Sequence, residues 1–465
     1  MSDSTRVTVE DKATREVIGE VPVAQRHELD GVVAAASSAF AGWSTVPVAE
    51  RARHLFRYAD ALERRREEVA LSVSRENGKT LADARAEVRR GIEAVEFACG
   101  MPSLMMGDAL PNVARGIDSV SMRYPLGVCA GITPFNFPAM IPLWMFPIAI
   151  AAGNTFVLKP SPQTPLTSEL LAAIAGECGL PQGVLAVVHG GTETAEALIE
   201  HPGVAAVSFV GSSAAARNVQ ERGVRAHKRV QALGGAKNYL IVMPDAAEEA
   251  TCDAVISSAF GGAGQRCLAG SVAVVVGSAG DWLIPRIVAA ARDLRLGPGT
   301  EANVDMGPVV SRDAVARIAG YVERARAEGV EVLLDAGASA ETGTFFGPVI
   351  FDRVDPASEL AREEIFGPVL AIVRADSLAE AIAVANGSRY GNASSIFTRD
   401  GGAARTFASQ IEVGMAGVNI GIAAPMAFFP FGGVKDSIFG DLRCHGKDAV
   451  AFYTQQRVVI SRWPT

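Results

Sequence analysis

The chain has 465 residues, 49% of them apolar and 20% charged, with a formal net charge of −8 at neutral pH. That length gives room for two or three domains with ample core, and the composition is that of an ordinary globular protein. The acidic balance argues against a nucleic-acid partner, which needs a basic face.

The N-terminal stretch "MSDSTRVTVEDKATREV" is polar and carries no apolar signal core. The six cysteines are scattered without C-x-x-C spacing, so neither a disulfide frame nor a zinc site is expected, and a reducing cytoplasm is. Residues 29–44 and 50–80 show the apolar spacing of amphipathic helices, the second ending at Asn77-Gly78. Residues 124–156 are apolar enough to raise a membrane span. Pro134, Pro138, Pro142 and Pro147 interrupt them and Asn136 sits inside, so the spacing predicts a buried strand, a loop and a core helix. A strand follows at 154–161, then a helix at 165–181 closed by Gly179 and Pro181.

The runs "VLAVVHGG", "VAAVSFVGSS", "NYLIVMP" and "SVAVVVG" are short and almost continuously apolar, which predicts a sheet covered on both faces. Their alternation with helical patterns predicts an α/β fold with parallel sheets and right-handed crossovers. A second α/β unit begins near residue 236, with its own strands "VEVLLDA", "PVIFDRV" and "VLAIVRA". Residues 119–127 and 451–463 are β-rich and stand apart. They are suited to pair as an accessory sheet whose exposed edge would invite a partner chain.

No G-x-G-x-x-G dinucleotide fingerprint is present. "SFVGSSAAARNV" (208–219) instead reads as a strand, Gly211-Ser212 and a helix, which presents free N–H groups and a positive dipole end to a pyrophosphate. Lys159 closes a strand at the ligand edge of an open sheet. A plain strand–helix turn and a surface lysine are the alternatives at these two places. In "GGAGQRCLAG" (261–270), Cys267 stands behind Arg266 in a run of glycines. Glycine permits close backbone approach, and an adjacent arginine favours thiolate over thiol. Cys267 is therefore either a nucleophile or a small buried residue in a tight loop.

Six stretches in order, "TPFNFP" (133–138), "LKPS" (158–161), "SFVGSS" (208–213), "GQRC" (264–267), "EEIFGPVL" (363–370) and "FPFGGVKDS" (429–437), resemble the aldehyde dehydrogenase superfamily. "RRGIEAVEFACGMPSLMMGDAL" (89–110), "LGGAKN" (233–238) and "GKDAVAFYT" (446–454) narrow the resemblance to the CoA-acylating methylmalonate-semialdehyde dehydrogenases. The resemblance implies a Rossmann-like NAD-binding domain over 1–106 and 127–235, and an α/β catalytic domain over 236–440. It also implies a β bridging element over 107–126 and 441–465, and a cytoplasmic homotetramer, a dimer of dimers, joined through that element. Membrane and nucleic acid are not expected partners, and no metal site is expected.

The same resemblance assigns roles residue by residue. Cys267 is the nucleophile and Asn136, with the Cys267 N–H, the oxyanion donor. Glu364 holds the nicotinamide ribose, Phe366 lies beside the ring, and Thr133 and Phe135 line that side. Lys159 reaches the adenosine ribose and Ser212, next to Gly211, the pyrophosphate. Arg90 and Arg266 bind a substrate carboxylate. Two departures bear on the cofactor. Pro162 stands where NAD-preferring members often carry a glutamate, so NAD is expected with NADP left open, and Gln163 is a substitute ribose contact. Gly234 puts no side chain beside the nicotinamide.

A third departure bears on the reaction. Hydrolytic members carry a glutamate at the "LGG" turn to activate water, and here Leu233 is read in that place. Leucine accepts no proton, so attack by water should be slow and a free thiol, CoA, should win. The expectation is oxidation of a carboxylated aldehyde through a thioacyl-enzyme. Methylmalonate semialdehyde would yield propionyl-CoA and malonate semialdehyde acetyl-CoA, each with loss of carbon dioxide. A hydrolytic enzyme for another acidic aldehyde and an inactive binding protein on the same scaffold are the competing readings.

Overall fold

The computed structural model describes residues 6–338 and 343–463. Three sheets organise it. The first runs Ile438–Phe439, Arg229–Leu233, Val204–Val210, Val128–Ile132, Thr155–Lys159 and Leu185–Val187. All its pairings are parallel except the outermost, where Ile438 lies antiparallel opposite Leu233. The second has seven strands in the order Glu331–Asp335, Val349–Asp352, Val369–Ala375, Gly270–Val276, Asn238–Val242, Ala393–Phe397 and Met415–Val418. Only its first strand is antiparallel to its neighbour.

The uniform apolarity of the inner strands follows from this arrangement. Every residue of Val128–Ile132 and of Thr155–Lys159 is buried, because helices cover both faces of the sheet. The third sheet joins Ile117–Pro125 to Thr454–Arg462 on one side and to Ala109–Ala114 on the other. It is the accessory sheet expected from residues 119–127 and 451–463.

The apolar stretch 124–156 becomes strand Val128–Ile132, a loop, helix Met140–Ala151 and the start of the next strand. Every residue of that helix is buried. At 12 residues it is too short for a bilayer core of about 30 Å. Among the described residues no helix is long and apolar enough to cross a membrane. It packs on helix Leu81–Cys99, where a Cβ at Gly91 would stand 2.6 Å from Leu143 Cδ1; glycine lets the two axes close. That contact sets Leu81–Cys99 beside the loop that carries Asn136.

Three element expectations need correction. Residues 50–80 form two helices, Val48–Arg64 and Arg66–Asn77, broken at Arg65 (φ −103°, ψ 16°). The apolar spacing runs on through Leu62, Val69 and Val73, so periodicity alone cannot show a one-residue break. Gly78, at φ 99°, closes the second helix as expected. The helix expected over 165–181 ends at Glu177, and of "VLAVVHGG" only Leu185–Val187 is strand.

Candidate active site

Cys267 follows a left-handed turn. Gly262 (φ 58°), Ala263 (φ 54°) and Gly264 (φ 68°) all have positive φ, the alanine at a conformational cost that surrounding contacts must offset. A Cβ at Gly264 would collide with the Gly367 carbonyl, which explains glycine there. The Cys267 carbonyl accepts N–H bonds from Asn238 Nδ2 (3.0 Å) and Asn392 Nδ2 (2.9 Å). Asn136 Nδ2 donates to the Gln265 carbonyl at 3.0 Å, two residues before the sulfur, and has a second N–H to offer.

Two cavities meet at Cys267. One, of about 250 Å³, is lined by Lys79, Asp83, Glu87, Arg90, Arg266, Trp144 and Phe431. The other, of about 310 Å³, is lined by Phe135, Asn136, Gly211, Ser212, Gly234, Glu364 and Phe366. A further cavity of about 360 Å³, with Thr133, Lys159 and Pro162 in its wall, shares Phe135, Gly211 and Ser212 with the second. Together these two make one elongated cleft from Lys159 to Cys267.

The cleft suits a dinucleotide on observations independent of any motif. Thr133 Oγ1 is buried in its wall without a hydrogen-bond partner. Glycines line it: a Cβ at Gly234 would stand 2.6 Å from the Asp436 carbonyl, and one at Gly211 would strike the Phe209 ring. Ser212 caps helix Ser213–Arg225, its Oγ accepting the Ala215 N–H at 3.3 Å, so the positive helix end faces the cleft. Phe366 sits at φ 53° and meets Phe135 edge-on, ring centres 5.8 Å apart. Lys159 Nζ donates to the carbonyls of Pro160 (2.9 Å) and Gly190 (2.7 Å), and burial lowers its pKa to about 8. Gln163, next to Pro162, is not among the residues lining either cavity, and its Oε1 is buried without a hydrogen-bond partner.

At the sulfur, burial outweighs the neighbouring arginine. The Cys267 thiol is pushed up to about 12, first by burial and then by the Glu364 carboxylate. Arg266 acts in the opposite direction, and it also pairs with Asp83, Nη2 to Oδ1 at 2.6 Å. Glu364 is itself raised to about 7 by burial, although the Ala236 N–H bonds its Oε1 at 2.9 Å.

Both arginines expected at a substrate carboxylate line the same cavity, but each already has an acid partner. Arg90 pairs with Glu93 at 2.7 Å and also donates to the Pro425 carbonyl. Leu233 is buried at the end of its strand and lines neither cavity at the sulfur. Sequence reasoning missed Lys79, Asp83 and Glu87. Their signal was spacing: a lysine just before the helix and two acids on it, at every fourth residue and ending near Arg90, where the helix otherwise carries Ala84, Val88 and Gly91. Asn238 and Asn392 left no comparable signal, since their role depends on the packing of two strands.

Comparison with known proteins gives the same picture. The family model described as "Aldehyde dehydrogenase family" matches residues 1–459. Malonate-semialdehyde dehydrogenase 1 of Geobacillus thermodenitrificans is 50% identical over 458 residues, covering 98% of this chain and 95% of that protein. A crystal structure from Sinorhizobium meliloti 1021, complexed with NAD and provisionally called a methylmalonate-semialdehyde dehydrogenase, superposes with a TM-score of 0.98. It is 42% identical and covers 100% of this chain and 96% of that one. The methylmalonate-semialdehyde dehydrogenase DddC of Oceanimonas doudoroffii gives 0.97 at 43% identity, covering 100% and 96%. With a cysteine at the junction of two cavities and an α/β frame shared over its whole length, the chain belongs to the aldehyde dehydrogenase family.

Proposed function

We propose that the chain oxidises malonate or methylmalonate semialdehyde through a Cys267 thioester that CoA, not water, resolves. The relatives' names supply the substrate class, and the cavity chemistry supports it. Cys267 adds to the aldehyde carbon as a thiolate and leaves an oxyanion, which the second Asn136 N–H and the Cys267 N–H would stabilise. NAD, when bound, supplies the acceptor for the hydride lost as the adduct becomes a thioester. Thr133, Phe135, Lys159, Gly211, Ser212, Gly234, Glu364 and Phe366 would hold it. On the other side, Arg90 and Arg266 would take the substrate carboxylate, whose loss as carbon dioxide leaves an acetyl or propionyl thioester.

One observation carries the CoA step. The substrate cavity holds no uncommitted base, because both of its carboxylates are already bonded. Asp83 accepts from Arg266 and from the Gly262 N–H, and Glu87 accepts from Lys79 and from two backbone N–H groups. Neither has a free oxygen with which to activate water. Glu364 belongs to the cofactor side.

We also infer a cytoplasmic dimer of dimers. The strand Ala109–Ala114 is exposed throughout, and Val458, Ile460 and Trp463 stand out on the opposite strand's side, an apolar edge that a second copy would cover.

The test follows reduced NAD from malonate semialdehyde with and without CoA. A single burst, with steady turnover restored by CoA, is expected. Steady turnover without CoA would establish the hydrolytic reading instead, and absence of a burst an inactive chain.

A further inference from the structure

In the wall of the substrate cavity lies a buried ion pair that the reaction above does not use. Lys79 Nζ stands 2.6 Å from Glu87 Oε2, the side chains 6% and 0% exposed. The same ammonium donates to the Asn136 main-chain carbonyl at 2.6 Å and sits 4.2 Å over the centre of the Phe137 ring. The other Glu87 oxygen accepts the N–H groups of Ala139 (2.8 Å) and Met140 (3.1 Å), where helix Met140–Ala151 begins. One ion pair thus fastens both ends of residues 136–140 to helix Leu81–Cys99. Asn77 adds a bond to the preceding carbonyl, Nδ2 to Phe135 O at 3.0 Å.

We propose that Lys79 and Glu87 are positioning residues that hold Asn136 in place as the oxyanion donor. The proposal rests on the reading of Asn136 given above. Holding a loop with buried charge is an expensive way to gain stability, since well-packed apolar groups of similar volume often serve as well. What the pair provides here is direction. It fixes a carbonyl and two amides of one five-residue segment, from which the Asn136 side chain reaches toward the Cys267 turn. Oxyanion donors are sensitive to such placement: a displacement of about 1 Å can cost about a hundredfold in rate.

The test compares Lys79→Met, Glu87→Gln and the double variant Lys79→Met/Glu87→Leu with the parent enzyme. Propanal is the substrate, so that losing a cation from the carboxylate cavity does not enter. The single variants leave one charge buried and unpaired and should lower Tm, and the double variant should regain most of that loss. The proposal expects the burst rate of the double variant to stay at least about tenfold below the parent while KM for propanal moves less than about twofold. A double variant that regains the burst rate together with Tm, or a Lys79→Met enzyme with the parent rate, overturns it. Asn136→Ala is measured alongside. If that variant keeps the burst rate, the oxyanion reading falls and this proposal with it. If Asn136→Ala loses the burst while the double variant does not, this proposal alone falls.

Discussion

The two cavities that meet at Cys267 are built from different materials. The cofactor side is made largely of backbone: Gly211, Gly234, a helix start capped by Ser212, and a phenylalanine held at positive φ. The substrate side is made of side chains, with Asp83, Glu87 and Arg90 on one helix, Lys79 just before its cap and Arg266 reaching in opposite. The contrast fits two kinds of recognition. A backbone cradle accepts a flat, extended ligand by shape and by amide contacts, whereas a ring of charges discriminates a small ligand by its charge. Every basic residue on the substrate side is already matched by an acid, Lys79 by Glu87, Arg90 by Glu93 and Arg266 by Asp83. An incoming carboxylate therefore shares cations that are held in fixed directions.

Substitutions can break this comparison or sharpen it. The largest effect is at the shared atom: Cys267→Ala should abolish the burst of reduced NAD, and a burst of parent size would remove the sulfur from the reaction. Next comes Asn136→Ala, which should slow the burst about 100- to 1,000-fold in stopped-flow measurements, the usual cost of one oxyanion donor. Arg90→Leu should raise KM for malonate semialdehyde about tenfold or more, as expected for a charged hydrogen bond, and leave propanal nearly unaffected. Equal effects on the two aldehydes would show that the substrate side does not discriminate by charge.

The smallest expected effect crosses from one side to the other. Glu364, on the cofactor side, raises the Cys267 thiol by like-charge repulsion. A neutral side chain there makes thiolate easier to form, so Glu364→Gln should shift the pH profile of Cys267 alkylation to lower pH. Since Glu364 is raised to about 7, the parent and variant profiles should differ most above that pH, where the carboxylate is charged. An unmoved or upward-shifted profile would contradict the assignment.

The cofactor side was the more legible in sequence. Strand–glycine–helix punctuation is local, so "SFVGSS" could be placed at a cleft from its own residues, and Gly211 and Ser212 line that cleft. The thiol's environment was not legible. Arg266 adjoins Cys267 in sequence and lowers the thiol, but it also bonds Asp83, 183 residues away, and burial together with the Glu364 carboxylate outweighs it. Covalent neighbours say little about electrostatic partners in a folded loop. In the fold, the continuous apolar strands foretold covered sheets because burial on both faces leaves no alternation. The break at Arg65 stayed hidden because one non-helical residue does not disturb the apolar spacing on either side.

The central claim is that an acyl group stays on Cys267 until a thiol removes it. The most direct measurement is the intact mass of the enzyme after mixing with NAD and malonate semialdehyde in the absence of CoA. The account predicts one acetyl adduct per chain, mapped to Cys267 by proteolysis and discharged on adding CoA. Unmodified enzyme, with reduced NAD accumulating beyond one equivalent per chain, would contradict it.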